Sequence, residues 1–281
     1  MRNRFRWLIL ALALTVVMAG CSSPKPAPPP PPPPPTPAPT PTPEPVVMRG
    51  PSFGYAAPVL KGKRETIEKF AAAVAADRKE EWDASRRNMG LTYEGVWLQT
   101  TPNGDFGVVY METPDLKKAM EAVAAGSTDF DKEYAAFLKD VHGIDVTDAS
   151  KMPEIHVAFE YDEGKPRQKG YSFLVPVLKG KEQAAKDWIA QVAGPDHEDF
   201  VRTRKDLGIT FERVFWMDTP GGMVFVVHLE SPDPYDSFKR NLASQDPYVV
   251  KFLSTVKDFT GIGFSQGPPP PNPQIVDWSA E

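Results

Sequence analysis

Two short runs carry the most specific candidate chemistry. Tyr110 and Glu112 stand two residues apart, as do His228 and Glu230, and on an extended strand that spacing puts both members of a pair on one face. Val108 and Val226 share those faces. A carboxylate beside a phenol or an imidazole is a proton-transfer arrangement. Lining a cavity, it would take a proton from a substrate carbon or phenol. The competing reading is structural: Glu112 and Glu230 end their strands at the rim, solvated or bonded to Arg86 and Arg204. Those arginines stand near the C-terminus of a helix, where a cation complements the dipole. Glu94 with Thr92 and Glu212 with Thr210 have the same two readings. His142, His156 and His197 are too scattered for a zinc spacing, and the lone cysteine rules out a multi-thiolate site. No metal and no cofactor is expected, with a haem held by His228 or His197 as the alternative. Trp82, Trp97, Trp188 and Trp216 would either line a hydrophobic ligand pocket or fill the core. No nucleophile elbow, phosphate loop or calcium loop occurs.

Cys21, the only cysteine, is preceded by Arg2, Arg4 and Arg6, an apolar run of 11 residues at 7–17, and Met18-Ala19-Gly20. The run is too short to span a bilayer comfortably. The arrangement resembles a bacterial lipoprotein signal peptide, with Met18 where that family most often has Leu. An ordinary secretory signal or an uncleaved anchor, with an incidental cysteine, is the alternative. The resemblance implies acylation of Cys21, cleavage before it, and attachment to a membrane of the cell envelope, facing the periplasm or the exterior. Ser22 after the cysteine favours the outer membrane where there is one. Acylation would also dispose of a thiol that has no disulfide partner. Removing residues 1–20 takes three arginines and no acid from totals of 32 basic and 37 acidic residues, leaving 29 − 37 = −8.

That acidic balance gives no footprint for a nucleic-acid partner. Residues 24–45 contain 15 prolines in 22 positions, a composition that favours polyproline II at about 3.1 Å per residue and a reach of roughly 70 Å. A spacer is the plain reading, and a ligand for a proline-reading domain the sharper one.

Beyond the linker the sequence repeats. Pro58-Val59-Leu60-Lys61-Gly62-Lys63 returns as Pro176-Val177-Leu178-Lys179-Gly180-Lys181, and in that register 28 of the 87 positions from 58 to 144 match the residue 118 further on. A tandem duplication accounts for this. In each copy a strand (53–60, 171–178) leads into a helix whose apolar residues, Ile67, Phe70, Ala71 and Val74 or Ala185, Trp188, Ile189 and Val192, follow helical spacing. Gly90 or Gly208 ends that helix. Two strands joined by Thr-Pro-Asn-Gly or Thr-Pro-Gly-Gly form a hairpin. Thr113-Pro114-Asp115 and Ser231-Pro232-Asp233 supply an N-cap, a proline at the first position and an acid in the first turn. A further helical segment follows, and a short closing strand is expected after Gly143 or Gly261. The runs at 155–159 and 275–278 are expected to pack as extensions on their own half or on the other. Residues 162–169 read as an exposed linker.

The order β-α-β-β-α-β is the ferredoxin-like split unit. It leaves one sheet face bare, and two copies can cover each other. The expected fold is therefore α+β: tandem ferredoxin-like units with sheets face to face in an intramolecular pseudo-dimeric α/β barrel, monomeric because it contains its own partner. The Pro-Val-Leu-x-Gly-Lys run, the Arg86-Arg87-x-x-Gly-Leu-Thr segment, the strand Val96-Trp97-Leu98-Gln99-Thr100-Thr101-Pro102 and the Val-Val-Tyr-Met-Glu strand are similar to a small bacterial family of uncharacterised domains of the dimeric α/β-barrel type, over 53–148 and 171–266. The resemblance implies the fold and carries no catalytic residue. The wider superfamily includes cofactor-free monooxygenases, haem-degrading and haem-binding enzymes, and members without known chemistry.

The domain organisation expected is a signal peptide at 1–20, a lipid-anchored proline-rich linker at 21–50, repeats at 51–161 and 170–281, and a linker at 162–169. The function expected is a non-catalytic envelope module that binds a protein partner or a small hydrophobic ligand. A monooxygenase-like or haem-handling enzyme using Tyr110, Glu112, His228 and Glu230 is the alternative. A purely structural spacer would lack any cavity between helices and sheet.

Overall fold

The computed structural model describes residues 49–146, 153–263 and 268–280. The chain divides into the units Met1–Pro43 and Glu44–Glu281, and the described residues belong to the second. Residues 1–20, read above as a signal peptide, Cys21 and residues 24–45 lie outside them.

The first half comprises β1 (Ser52–Pro58), α1 (Arg64–Ala75), α2 (Lys79–Asn88), β2 (Tyr93–Thr101), β3 (Gly104–Glu112), α3 (Leu116–Ala125), α4 (Asp129–His142) and β4 (Ile155–Asp162). The second comprises β5 (Lys169–Pro176), α5 (Glu182–Ala193), α6 (His197–Asp206), β6 (Phe211–Thr219), β7 (Gly222–Ser231), α7 (Pro234–Ala243), α8 (Pro247–Thr260) and β8 (Gln274–Ser279). Adding 118 to the bounds of α1, α2, β2, α3 and α4 reproduces α5, α6, β6, α7 and α8 to the residue. Two halves with different side chains thus obey the same local rules.

Three expectations are corrected. The first helix of each half is two helices. Ala76 leaves the helical region at φ −124°, ψ −99°, and Gly194 does so at φ −118°, ψ −102°, where Pro195 biases the residue before it away from α. The N-caps are Asp115 and Asp233, not Thr113 and Ser231. Each aspartate accepts the backbone N–H three residues on, from Lys118 and Asp236, so the helices start two residues later than read. Finally, no strand follows Gly143 or Gly261 among the described residues. The closing strands are β4 and β8, the runs expected as extensions, and both cross to the other half.

Each half's first three strands form an antiparallel sheet that takes its fourth strand from the other half. The orders are β1-β3-β2-β8 and β4-β6-β7-β5. Glu94 on β2 lies opposite Trp278 of β8, and Glu160 of β4 opposite Arg213 of β6. The hairpin turns close through Gly104 (φ 121°) and Gly222 (φ 113°), a backbone region open to glycine.

β3 is buried on both faces because period-two alternation serves two cores. Val108 and Tyr110 face the space between the sheets with Tyr93, Trp97, Phe211, Phe215 and Val226. Val109 and Met111 face the helices, packing with Trp82, Met120, Val123 and Phe130. Close approach of the sheets is bought with missing side chains: a Cβ on Gly54 would fall 2.7 Å from Cε2 of Phe215, and one on Gly170 would fall 3.2 Å from Cζ2 of Trp97. The result is an α+β fold of two face-to-face sheets with helices outside.

Candidate functional site

Because β3 and β7 face each other across the barrel, the four residues of the proton-transfer reading meet. The rings of Tyr110 and His228 stack with centroids 3.8 Å apart and planes 6° from parallel. Tyr110 donates its hydroxyl to Glu112 at 2.9 Å. His228 places Nδ1 2.8 Å from Ser172 Oγ and Nε2 3.6 Å from Glu230 Oε1. Trp97 and Phe211 close over the imidazole at centroid distances of 5.5 and 6.0 Å. All four residues are buried.

Arg86 and Arg204 are not the partners of these glutamates. Arg167 is, spanning both carboxylates at 2.8 Å each, through NH2 to Glu112 and NH1 to Glu230, while its guanidinium lies over Tyr93 at 3.8 Å. The backbone N–H of Gln168 donates to Glu230 at 3.0 Å, so the stretch read as an exposed linker turns its polar groups inward here. Arg49 donates to Glu230 from Nε and NH2 and is itself buried. Arg49 and Arg167 are 118 residues apart, as are Glu112 and Glu230. Each half therefore sends the arginine before its first strand to the glutamate ending the other half's β3 or β7, the reciprocity expected of a two-fold interface. Extending the repeat register a few residues upstream of the first strand would have found both arginines.

The electrostatics suit a structural lock. Burial raises the pKa of Tyr110 well above its ordinary value, with the charge of Glu112 adding to it. Burial also lowers that of His228, outweighing the pull of Glu230. Burial works to raise Glu230, but contact with His228 and the two arginines overrides it and holds the carboxyl at about 2. A base whose lone pairs are already committed to arginines, with no room beside it, is poorly placed to take a substrate proton. None of the four residues lines a cavity described below.

The open space lies elsewhere. Between sheet and helices the first half holds a cavity of about 120 Å³ whose walls include Tyr55, Phe70, Trp82, Glu94, Tyr134 and His142. The second half holds one of about 80 Å³ whose walls include Trp188, Arg204, Glu212, Phe225, Asn241 and Phe252. Beside each is a buried ion pair. Arg86 reaches Glu94 at 2.6 Å and Arg204 reaches Glu212 at 2.8 Å. Rather than complementing helix ends in solvent, these arginines pass beneath their helices. Arg86 lies 3.3 Å from the Trp82 ring centroid and Arg204 4.3 Å from that of Phe200. Burial raises Glu212 above the usual carboxylate range against the pull of Arg204, and pushes Tyr134 up to about 12. A larger cleft of about 1170 Å³ opens between the two hairpin turns beside Pro269–Pro273, and no histidine lines it.

The histidines do not converge. His142 bonds the carbonyl of Pro58 through Nδ1 at 2.9 Å, His156 stacks on Trp216 at 4.1 Å, and His197 opens α6 beside Phe200. Among the described residues no cluster of three His, Cys, Asp or Glu side chains is arranged to hold a metal. Trp97 is core, Trp82 and Trp188 serve both as core and as cavity wall, and Trp216 is partly buried.

Residues 55–162 match the model of a family of unknown function, DUF6176. This DUF6176 segment includes β1 through β4 apart from the first residues of β1, and so contains Tyr110, Glu112 and the first cavity. No curated protein matches the sequence. Among solved structures, a "putative monooxygenase" of Fusobacterium nucleatum aligns with TM-score 0.42 and 11% identity over 74% of this chain and 86% of its own. An anthrone oxidase-like protein aligns with TM-score 0.40 and 9% identity over 75% and 86% of the two chains. A "putative monooxygenase" of Lactobacillus acidophilus aligns with TM-score 0.40 and 7% identity over 81% and 94%.

Proposed function

We propose that this protein is a lipid-anchored module of the bacterial cell envelope that binds a small, largely apolar ligand and performs no chemistry on it. Cys21 carries the acyl chains, residues 24–45 act as a spacer from a membrane surface, the outer membrane where there is one, and the barrel is monomeric and faces the periplasm or exterior. The observation that carries the binding reading is the repeated cavity, about 120 Å³ in one half and about 80 Å³ in the other, each under the helices beside an Arg–Glu pair. A purely structural spacer has no use for such space, since close packing is the norm and voids cost stability. An apolar cavity of about 150 Å³ binds benzene, so these smaller volumes limit a ligand to at most one small ring.

The non-catalytic half of the reading rests on the burial of Tyr110, Glu112, His228 and Glu230 and on the arginines that occupy the two carboxylates. The monooxygenase-like alternative would need one of them to reach a substrate. A haem has no room in either helix–sheet cavity, both being below the roughly 300 Å³ of the smallest drug-sized pockets. The test is native mass spectrometry and absorption spectroscopy of the mature chain purified gently from an export-competent host. A retained small molecule released unchanged supports the proposal. Turnover of that molecule, or a haem band, would replace it with the enzyme reading.

A further inference from the structure

Resting on the binding reading above, we infer that the second-half cavity is specific for a ring bearing a hydroxyl, the phenol class. Two wall residues of the second cavity carry polar atoms that are buried and have no hydrogen-bond partner, Nε1 of Trp188 and Oδ1 of Asn241. Trp188 is nine-tenths buried, at 9% exposure. One atom is a donor and the other an acceptor. Leaving such groups unmatched costs the desolvation of each, and buried polar groups in native proteins are overwhelmingly paired.

The repeat supplies the comparison. At the 118-residue offset Trp188 corresponds to Phe70 and Asn241 to Val123, and both of those are apolar residues of the first half's core. The Arg–Glu pair is common to both halves. The two hydrogen-bonding side chains are the second half's own. At these two positions the first half has hydrocarbon and the second a lone donor and a lone acceptor. A hydroxyl both accepts and donates, so a ligand that carries one offers the kind of partner each atom lacks. The rest of the wall, including Phe225, Val227, Phe252 and Phe259, calls for an apolar ring. A carboxylate or phosphate is disfavoured, because Arg204 is already committed to Glu212.

The experiment uses the full mature chain, residues 21–281, with Cys21→Ser so that it needs no detergent. Phenol and benzene are titrated separately while the indole ¹⁵N–¹H signals of the six tryptophans are followed, the Trp188 signal being the one absent from Trp188→Phe. Phenol is expected to shift that signal and to bind at least tenfold more tightly than benzene. Trp188→Phe and Asn241→Val, each installing the first half's residue, are expected to reduce the preference to less than threefold. Benzene binding should persist in both variants, which also shows that they fold. Equal affinity for phenol and benzene in the parent chain overturns the inference and leaves the binding proposal standing. So does a phenol preference that survives both substitutions. Failure of both rings to bind overturns the inference and the binding proposal together.

Discussion

At the residue scale the central fact is a carboxylate enclosed by positive charge. Glu230 is held at about 2 against an ordinary value of 4.5 by contact with His228 and by Arg49 and Arg167, which together override its burial. A folded-state value depressed in this way contributes stability that is present above pH 4.5 and lost as the pH falls towards 2, worth about 3 kcal/mol at 1.36 kcal/mol per unit. His228 works in the same direction. Its imidazole is harder to protonate in the fold, so stability declines as the pH falls below 6.5 and the unfolded chain takes up the proton. Glu212 opposes both, because burial raises it and acid relieves its buried charge. Urea unfolding from pH 8 to 3 is expected to show a decline starting near 6.5 and steepening below 4.5. Glu230→Gln should remove the steeper part and cost about 3–5 kcal/mol at pH 7, as breaking a buried pair does. An unchanged acid limb would show that Glu230 is not the titrating group.

At the scale of elements the fold depends on close sheet contact and exchanged strands. Gly54→Ala would put a methyl group into the space of the Phe215 ring, and is expected to destabilise by about 1–3 kcal/mol. Combination with Phe215→Leu should recover part of that loss in a double-mutant cycle, and strictly additive losses would show that the two sites do not meet. Ending the chain after Pro273 removes β8 and bares the edge of β2 between Tyr93 and Trp97. Amide exchange should then accelerate on β2 and leave β6 of the other sheet protected. Uniform acceleration would instead show that the sheets unfold as one cooperative unit.

At the scale of the molecule, one chain has the interface of a symmetric pair. Arg49 reaches Glu230, Arg167 reaches Glu112, β4 completes the second sheet and β8 the first. The connection between the halves is thus a minor part of what joins them. A protease site engineered after Gly164, once cut, should give two fragments that run as one species on size exclusion and separate only in denaturant. Spontaneous separation in native buffer would mean that the covalent link, and not the interface, holds the barrel together.

What the sequence determined by itself was everything that depends on near neighbours. The repeat, the hairpin turns at Gly104 and Gly222, the helix ends at Gly90 and Gly208, and the pairing of Tyr110 with Glu112 and His228 with Glu230 on one strand face all follow from spacing and backbone chemistry within a few residues. The two-sheet architecture was legible too, because each copy carries a sheet face that something must cover. Only the tertiary structure decided which strand closes which sheet, since an edge strand's hydrogen bonds are generic and pairing with either half satisfies them locally. It also decided that Glu94 and Glu212, rather than Glu112 and Glu230, take Arg86 and Arg204. A long side chain can reach either face of a strand's end, and burial beneath the helices selects the partner. Trp188 and Asn241 were beyond sequence reasoning for the same reason. Whether a buried donor or acceptor finds a partner depends on every element around it.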